Sequence, residues 1–220
     1  MSARGKVRGG KRWIDEHVSD PFVQRARSEG YRSRAAYKLI EIDDRDHLLG
    51  RGKVVVDLGA APGSWSEVVA RRVGTTTGSG RIIAVDLLVV APIAGVTTIQ
   101  GDFAEATVLE QVRTALAGRP VDLVLSDMAP NISGISVSDQ ARGMALAELA
   151  LDFAVGHLKP GGAFLVKMFQ GEGFVELIRA MRGPFEQVIT RKPAASRDRS
   201  SETFVLARGF RETLRGGPEN

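Results

Sequence analysis

The sequence contains no cysteine. That absence excludes disulfides, Cys-based zinc sites and iron–sulfur clusters, and no metal site is expected. It also excludes every mechanism that needs a thiol nucleophile. No apolar run approaches the roughly 20 residues of a membrane helix. The basic N-terminus has no apolar segment behind it, so no secretory signal is expected. The expectation is a cytoplasmic protein without a membrane partner. The full dinucleotide fingerprint is missing too: counted as G-x-G-x-x-G from Gly59, the second and third glycines are Ala61 and Ser64.

What is present is an ordinary globular composition, 43% apolar and 25% charged over 220 residues, enough for one α/β domain with a core. The net charge is +4, unevenly distributed. Arg4, Lys6, Arg8, Lys11, Arg12, Arg25, Arg27, Arg32, Arg34 and Lys38 crowd the first part of the chain. Arg191, Lys192, Arg197 and Arg199 form a second group. Clustered Lys and Arg attract a polyanion through phosphate contacts and counterion release, or else form a solvated tail.

Apolar runs and turn residues alternate along the chain. Asp20-Pro21 has the form of a helix start and Gly30 of a stop. A second helix is expected over Arg34–Leu48 with Ser33 as cap. Strands follow at Lys53–Leu58, Arg81–Asp86, Val96–Gln100, Val121–Asp127, Ala163–Phe169, Phe185–Arg191 and Thr203–Ala207. Helices are expected at Ser64–Val73, Ala104–Leu116, Asp139–His157 and Phe174–Met181, with Lys159–Gly162 as a stop. Strands separated by helices predict a mostly parallel sheet with helices on both faces. The last two strands lack room for a crossover helix and form a hairpin, which makes one strand antiparallel. This is a Rossmann-like class I methyltransferase pattern: seven strands, mostly parallel, with an antiparallel hairpin at one edge. A basic tail is expected over 1–18, a single domain over 19–210 and a C-terminal tail over 211–220.

The run Val54–Val69 is the most informative stretch. An apolar strand ends in Asp57, a turn with Gly59 and Gly63 follows, and a helix starts at once, which brings a ligand against bare backbone. Three acids, Asp86, Asp102 and Asp127, end three further strands on the same rim. Each is either a cap or turn residue or a ligand contact. As contacts, Asp86 suits the two hydroxyls of a ribose, Asp102 an adenine amino group and Asp127 a cationic centre. S-adenosylmethionine carries all three features. NAD carries two, and its pyrophosphate calls for a more glycine-rich helix start.

The acceptor atom follows by elimination. Carbon-5 pyrimidine methylation usually needs a cysteine. Amino-group methylases usually carry an aromatic after the fourth strand, and Asp127-Met-Ala-Pro-Asn131 has none. A hydroxyl acceptor remains, and it must lose a proton as the methyl arrives. Lys167 is the candidate, since a charge inside an apolar strand is costly unless used or paired, the alternative being a lysine that snorkels to the surface. An ordinary lysine, with its pKa near 10.4, is neutral in only about one molecule in a few thousand at pH 7. Desolvation and a second cation, such as Lys38, would raise that fraction; acids nearby would oppose it.

Arg32-Ser-Arg-Ala-Ala-Tyr-Lys-Leu39, Asp57-Leu-Gly-Ala-Ala-Pro-Gly-Ser-Trp65, Ser126-Asp-Met-Ala-Pro-Asn131, Phe164-Leu-Val-Lys-Met-Phe169 and Arg197-Asp-Arg-Ser-Ser-Glu202 together resemble the bacterial FtsJ/RrmJ family. The resemblance runs from about Trp13 to Ala207. It implies a Lys-Asp-Lys-Glu tetrad at Lys38, Asp127, Lys167 and Glu202, with Lys167 as proton acceptor. It implies methyl-donor contacts at Gly63, Trp65, Asp86, Asp102 and Asp127. It further implies S-adenosylmethionine as cofactor and, as substrate, a uridine ribose 2′-hydroxyl in large-subunit ribosomal RNA within the assembled 50S particle. Trp65 either packs on the donor or belongs to the core, and Glu202 either hydrogen-bonds a lysine ammonium and fixes its rotamer or is a solvated loop acid. A monomer is expected. The rivals are a non-catalytic RNA-binding assembly factor, a nicotinamide-dependent oxidoreductase and a cap-type messenger RNA ribose methylase.

Overall fold

A computed structural model describes residues 20–74, 80–130, 136–196 and 201–212. The expected N-terminal tail, the arginines 197 and 199 and most of the expected C-terminal tail lie outside these residues. The elements are α1 Pro21–Glu29, α2 Ala35–Asp46, β1 Val54–Leu58, α3 Ser64–Val73, β2 Arg81–Asp86, β3 Val96–Gln100, α4 Ala106–Leu116, β4 Val121–Ser126, α5 Ser136–His157, β5 Leu158–Phe169, α6 Phe174–Met181, β6 Phe185–Arg191 and β7 Glu202–Phe210.

The described residues hold a seven-stranded sheet in the order β3-β2-β1-β4-β5-β7-β6. The first five strands of that order are parallel. β7 enters between β5 and β6 and runs antiparallel to both. The predicted edge hairpin is therefore present, with β6 outermost.

Local chemistry explains the boundaries. Asp20 Oδ1 accepts the Phe22 N–H at 2.9 Å, Pro21 opens α1, and Gly30 closes it at φ +70°. α4 starts two residues later than predicted because Asp102 forms a turn of its own, its Oδ1 accepting the Ala104 N–H at 2.9 Å. β5 starts earlier than predicted. Leu158 pairs with Val121, and the register shifts before Leu123 meets Ala163, which absorbs the Pro-Gly-Gly stop as an irregularity within the strand.

Strand alternation sorts the core into two layers. Val56, Val124, Phe164, Val166, Val205 and Ala207 face α4, α5 and α6. Val55, Leu125, Leu165, Phe204 and Leu206 face α2 and α3. Asp57 and Lys167 continue this second series. They sit on the α2–α3 side at the carboxyl ends of their strands, where a parallel sheet opens to a ligand.

Candidate active site

The donor side is built around the β1–α3 turn. Gly59 and Ala60 donate their N–H groups to the Val85 carbonyl at 2.9 and 3.1 Å, and Asp127 N–H reaches the Leu58 carbonyl at 3.0 Å, so three strand ends are stitched together. Gly59 has φ +76°, and a Cβ there would lie 2.7 Å from the Met128 backbone nitrogen. A side chain is excluded by backbone, which cannot move aside. Gly59, Asp86, Leu87, Asp102, Phe103 and Met128 line a cavity at this point. Gly59, Leu87, Phe103 and Met128 were not among the expected donor contacts. Leu87 and Phe103 each follow a rim acid directly, a spacing that would have pointed to them.

Asp86 and Asp102 each bind backbone as well as facing the cavity. Asp86 accepts Ala61 N–H and Leu88 N–H, both at 2.8 Å. It therefore locks the β1–α3 turn to the β2–β3 loop while keeping lone pairs for a ligand, because a carboxylate accepts up to about four hydrogen bonds.

Asp57, not singled out as a site residue in the sequence, lies fully buried beneath the turn. Its Oδ2 accepts from Ser66 Oγ at 2.6 Å, whereas its Oδ1 has no hydrogen-bond partner among the described residues. Burial, helped by the charges of Asp127 and Asp86, pushes this carboxyl up to about 7 against the Ser66 hydrogen bond. The carboxyls of Asp86 and Asp127 beside one glycine turn create a field that favours a cation. S-adenosylmethionine fits this arrangement through its positive charge, its ribose and its adenine. A pyrophosphate would meet acids on every side.

The raised value also ties Asp57 to stability. The unfolded value is near 3.9, so its contribution is fully present below about pH 4 and is lost as pH rises through about 7. The wild-type protein should therefore lose stability relative to Asp57→Asn between about pH 4 and pH 7, read from denaturant midpoints. A difference that stays constant across that window would mean that Asp57 is ionised throughout.

The tetrad side assembles from four distant segments. Lys167, on β5, is 9% exposed. Its ammonium donates to the Asp127 carbonyl oxygen at 2.7 Å. Asp127 Oδ1 is 2.9 Å away as an ion partner but outside hydrogen-bonding alignment. Lys38, on α2, lies 2.7 and 2.9 Å from the two Glu202 oxygens. Ser196 Oγ donates to Glu202 Oε1 at 3.0 Å. Burial pushes the Glu202 carboxyl up. Lys38, the charge of Lys167 and the Ser196 hydroxyl outweigh it and hold the group below its ordinary value. Lys167 stands opposite Phe204 in the β5–β7 register, and the Lys38 ammonium is 5.7 Å from the centre of the Phe204 ring. The two ion pairs thus share one patch, with Phe204 between the lysines.

Two of the expected donor contacts, Trp65 and Gly63, are not among the residues that line the donor cavity. Trp65 is 2% exposed. Its indole N–H donates to the Ala35 carbonyl at 2.9 Å, and its ring sits 5.7 Å from Phe204. It belongs to the core that seats α2 against α3, and its side chain does not line the donor cavity. Gly63 caps α3 at φ +105°, where a Cβ would lie 2.7 Å from Arg32 Nη1. Several of the basic residues, in turn, have intramolecular partners. Arg32 donates to the Pro62, Ala91 and Pro92 carbonyls at 2.8, 2.8 and 2.9 Å and pairs with Glu67, so it braces the donor loop. Arg34 is held by Asp20 and the Ala195 carbonyl. Arg191 makes a two-point contact with Asp46, both bonds 2.7 Å. A charge count cannot separate such braces from phosphate contacts.

The family model described as FtsJ-like methyltransferase matches residues 31–210. A ribosomal RNA large subunit methyltransferase E of Nitrosospira multiformis is 58% identical over 94% of this chain and 99% of its own length. One of Stenotrophomonas maltophilia is 56% identical over 98% of this chain and 100% of its own. A crystal structure of a ribosomal RNA methyltransferase, putative, from Plasmodium falciparum superposes with a TM-score of 0.73 at 31% identity, covering 82% of this chain and 98% of that one. With the motifs, the fold and these relatives in agreement, the chain belongs to the FtsJ-like methyltransferase family, and its acidic cavity fits the cofactor expected there, S-adenosylmethionine.

Proposed function

We propose that this protein methylates the 2′-hydroxyl of a uridine ribose in large-subunit ribosomal RNA, within the assembled 50S particle in the cytoplasm, using S-adenosylmethionine. The observation that carries the reading is the pairing of a buried strand lysine, Lys167, with Asp127 at 2.9 Å, beside a second clamped pair, Lys38 and Glu202. The names of the relatives support the ribosomal RNA. Asp86 and Asp102 are assigned to the ribose and adenine of the donor, and Asp127 faces its cationic side. The donor supplies an electrophilic methyl group on a cationic sulfur.

The chain's own residues then have separate tasks. Asp127 fixes the Lys167 amine at the end of β5. The neutral amine takes the proton of the attacking hydroxyl, or the ammonium stabilises the developing alkoxide. Glu202 holds Lys38 beside it, which adds positive charge next to the RNA backbone.

The test is transfer of a labelled methyl group to purified large subunits that lack ribose methylation, followed by mapping of the product. Label at a single 2′-hydroxyl is the expected result. Donor binding without transfer to any ribose would instead identify a non-catalytic assembly factor.

A further inference from the structure

A second cavity adjoins the donor cavity, and Ala129 lines both. Its volume is about 280 Å³, and Pro130, Asp139, Gln140, Phe169 and Gln170 complete its described walls with Ser201. Three of the tetrad segments run straight into it. Ala129 is two residues past Asp127, Phe169 two past Lys167, and Ser201 one before Glu202. Whatever fills this space therefore lies against segments that carry three of the four tetrad residues and shares Ala129 with the donor cavity.

The lining has the chemistry of a base site. Phe169 and Pro130 offer flat apolar surface, both only partly buried. Gly143 of α5 backs them: a Cβ built there would touch the Phe169 ring at 3.6 Å and the Pro130 ring at 3.7 Å. Gln140 reaches in from α5, its Nε2 donating to the Gln170 carbonyl at 3.4 Å. That contact orients the amide, because only nitrogen can donate to a carbonyl, and leaves Oε1 to accept. Gly171 makes room for it: at φ +152°, a Cβ would fall 1.3 Å from Gln140 Nε2. Single-stranded RNA bases are recognised in this way, unstacked, laid on an aromatic face and read at their hydrogen-bonding edge.

We infer that this cavity receives the base of the target nucleotide, stacked on Phe169 and read at its edge by Gln140. The inference rests on the ribose-methylation reading and adds to it the seat of the base. A base held here is drawn out of its RNA stack, and its own ribose is brought between the donor cavity and Lys167.

The experiment uses the full-length protein and large subunits lacking ribose methylation, with donor affinity measured in parallel. Loss of one base-stacking contact should lower kcat/KM for the subunit roughly 5- to 150-fold in Phe169→Ala, with donor affinity unchanged. Phe169→Tyr, which keeps the ring, should stay near wild type, whereas Phe169→Leu, which keeps the bulk, should behave like Phe169→Ala. Gln140→Ala should narrow the preference for subunits with the natural target base over subunits with a purine there. Transfer by Phe169→Ala at the wild-type rate, activity in Phe169→Leu equal to that in Phe169→Tyr, or a parallel loss of donor affinity would each overturn the base site. Failure of the wild-type protein to methylate any ribose would overturn the underlying reading, which is a separate result.

Discussion

Lys167→Ala should lower methyl transfer by about 10²- to 10⁴-fold while leaving donor affinity within about twofold. The ammonium is almost enclosed and touches both the backbone and the carboxylate of Asp127, so no solvent cation replaces it. Truncation leaves Asp127 as an unpaired charge, which destabilises the fold by about 3–5 kcal/mol if it stays ionised. A thermal melt therefore accompanies the assay, and transfer is compared below the lowered midpoint. Lys167→Arg separates the two chemical roles. Arginine keeps the charge but does not accept a proton at any working pH. Partial activity in Lys167→Arg identifies an electrostatic stabiliser. An arginine variant as inert as the alanine variant, with wild-type turnover rising with pH, identifies a proton acceptor. Loss of donor binding in Lys167→Ala would remove Lys167 from the catalytic step altogether.

Asp86→Ala should weaken donor binding by roughly 10- to 100-fold, the effect of losing one or two charge-assisted hydrogen bonds, with RNA affinity nearly unchanged. The geometry gives a second reason for the loss. Asp86 accepts from Ala61 N–H and Leu88 N–H, so its removal frees the turn that holds Gly59 against Met128. Titration calorimetry with the donor and a filter-binding assay with ribosomal RNA read the two affinities separately. An unchanged donor affinity would refute the ribose contact. A parallel fall in RNA affinity would mean that the turn also shapes the acceptor side.

Both variants act on residues that were legible before any coordinates. Asp86 ends the apolar run Ile82–Val85, and Lys167 interrupts the apolar run Ala163–Phe169. A charge in such a place carries its own signal, because burial is costly without a partner or a use. Asp57 carried the same signal and was passed over, since a strand-end acid before a glycine turn also reads as part of the turn. Its isolation depends on Ser66 and on two other carboxyls, none of them adjacent in the chain. Trp65 was open between donor and core, and the contact that orients its indole is with Ala35, thirty positions away.

The sequence alone determined the order of strands and helices, the capped start of the first helix, the glycine turn after β1, and the exclusion of thiol and disulfide chemistry. These depend on periodicity, on backbone freedom at particular residues and on which side-chain chemistries are absent, all local properties of the chain. Only the tertiary structure decided that β7 inserts between β5 and β6, that Arg32, Arg34 and Arg191 brace loops, and that Lys38 meets Glu202 across more than half the chain. It also decided that two cavities meet at Ala129. The reason is physical: a charge or an aromatic ring takes its role from the group placed opposite it, and packing brings that group from a distant segment.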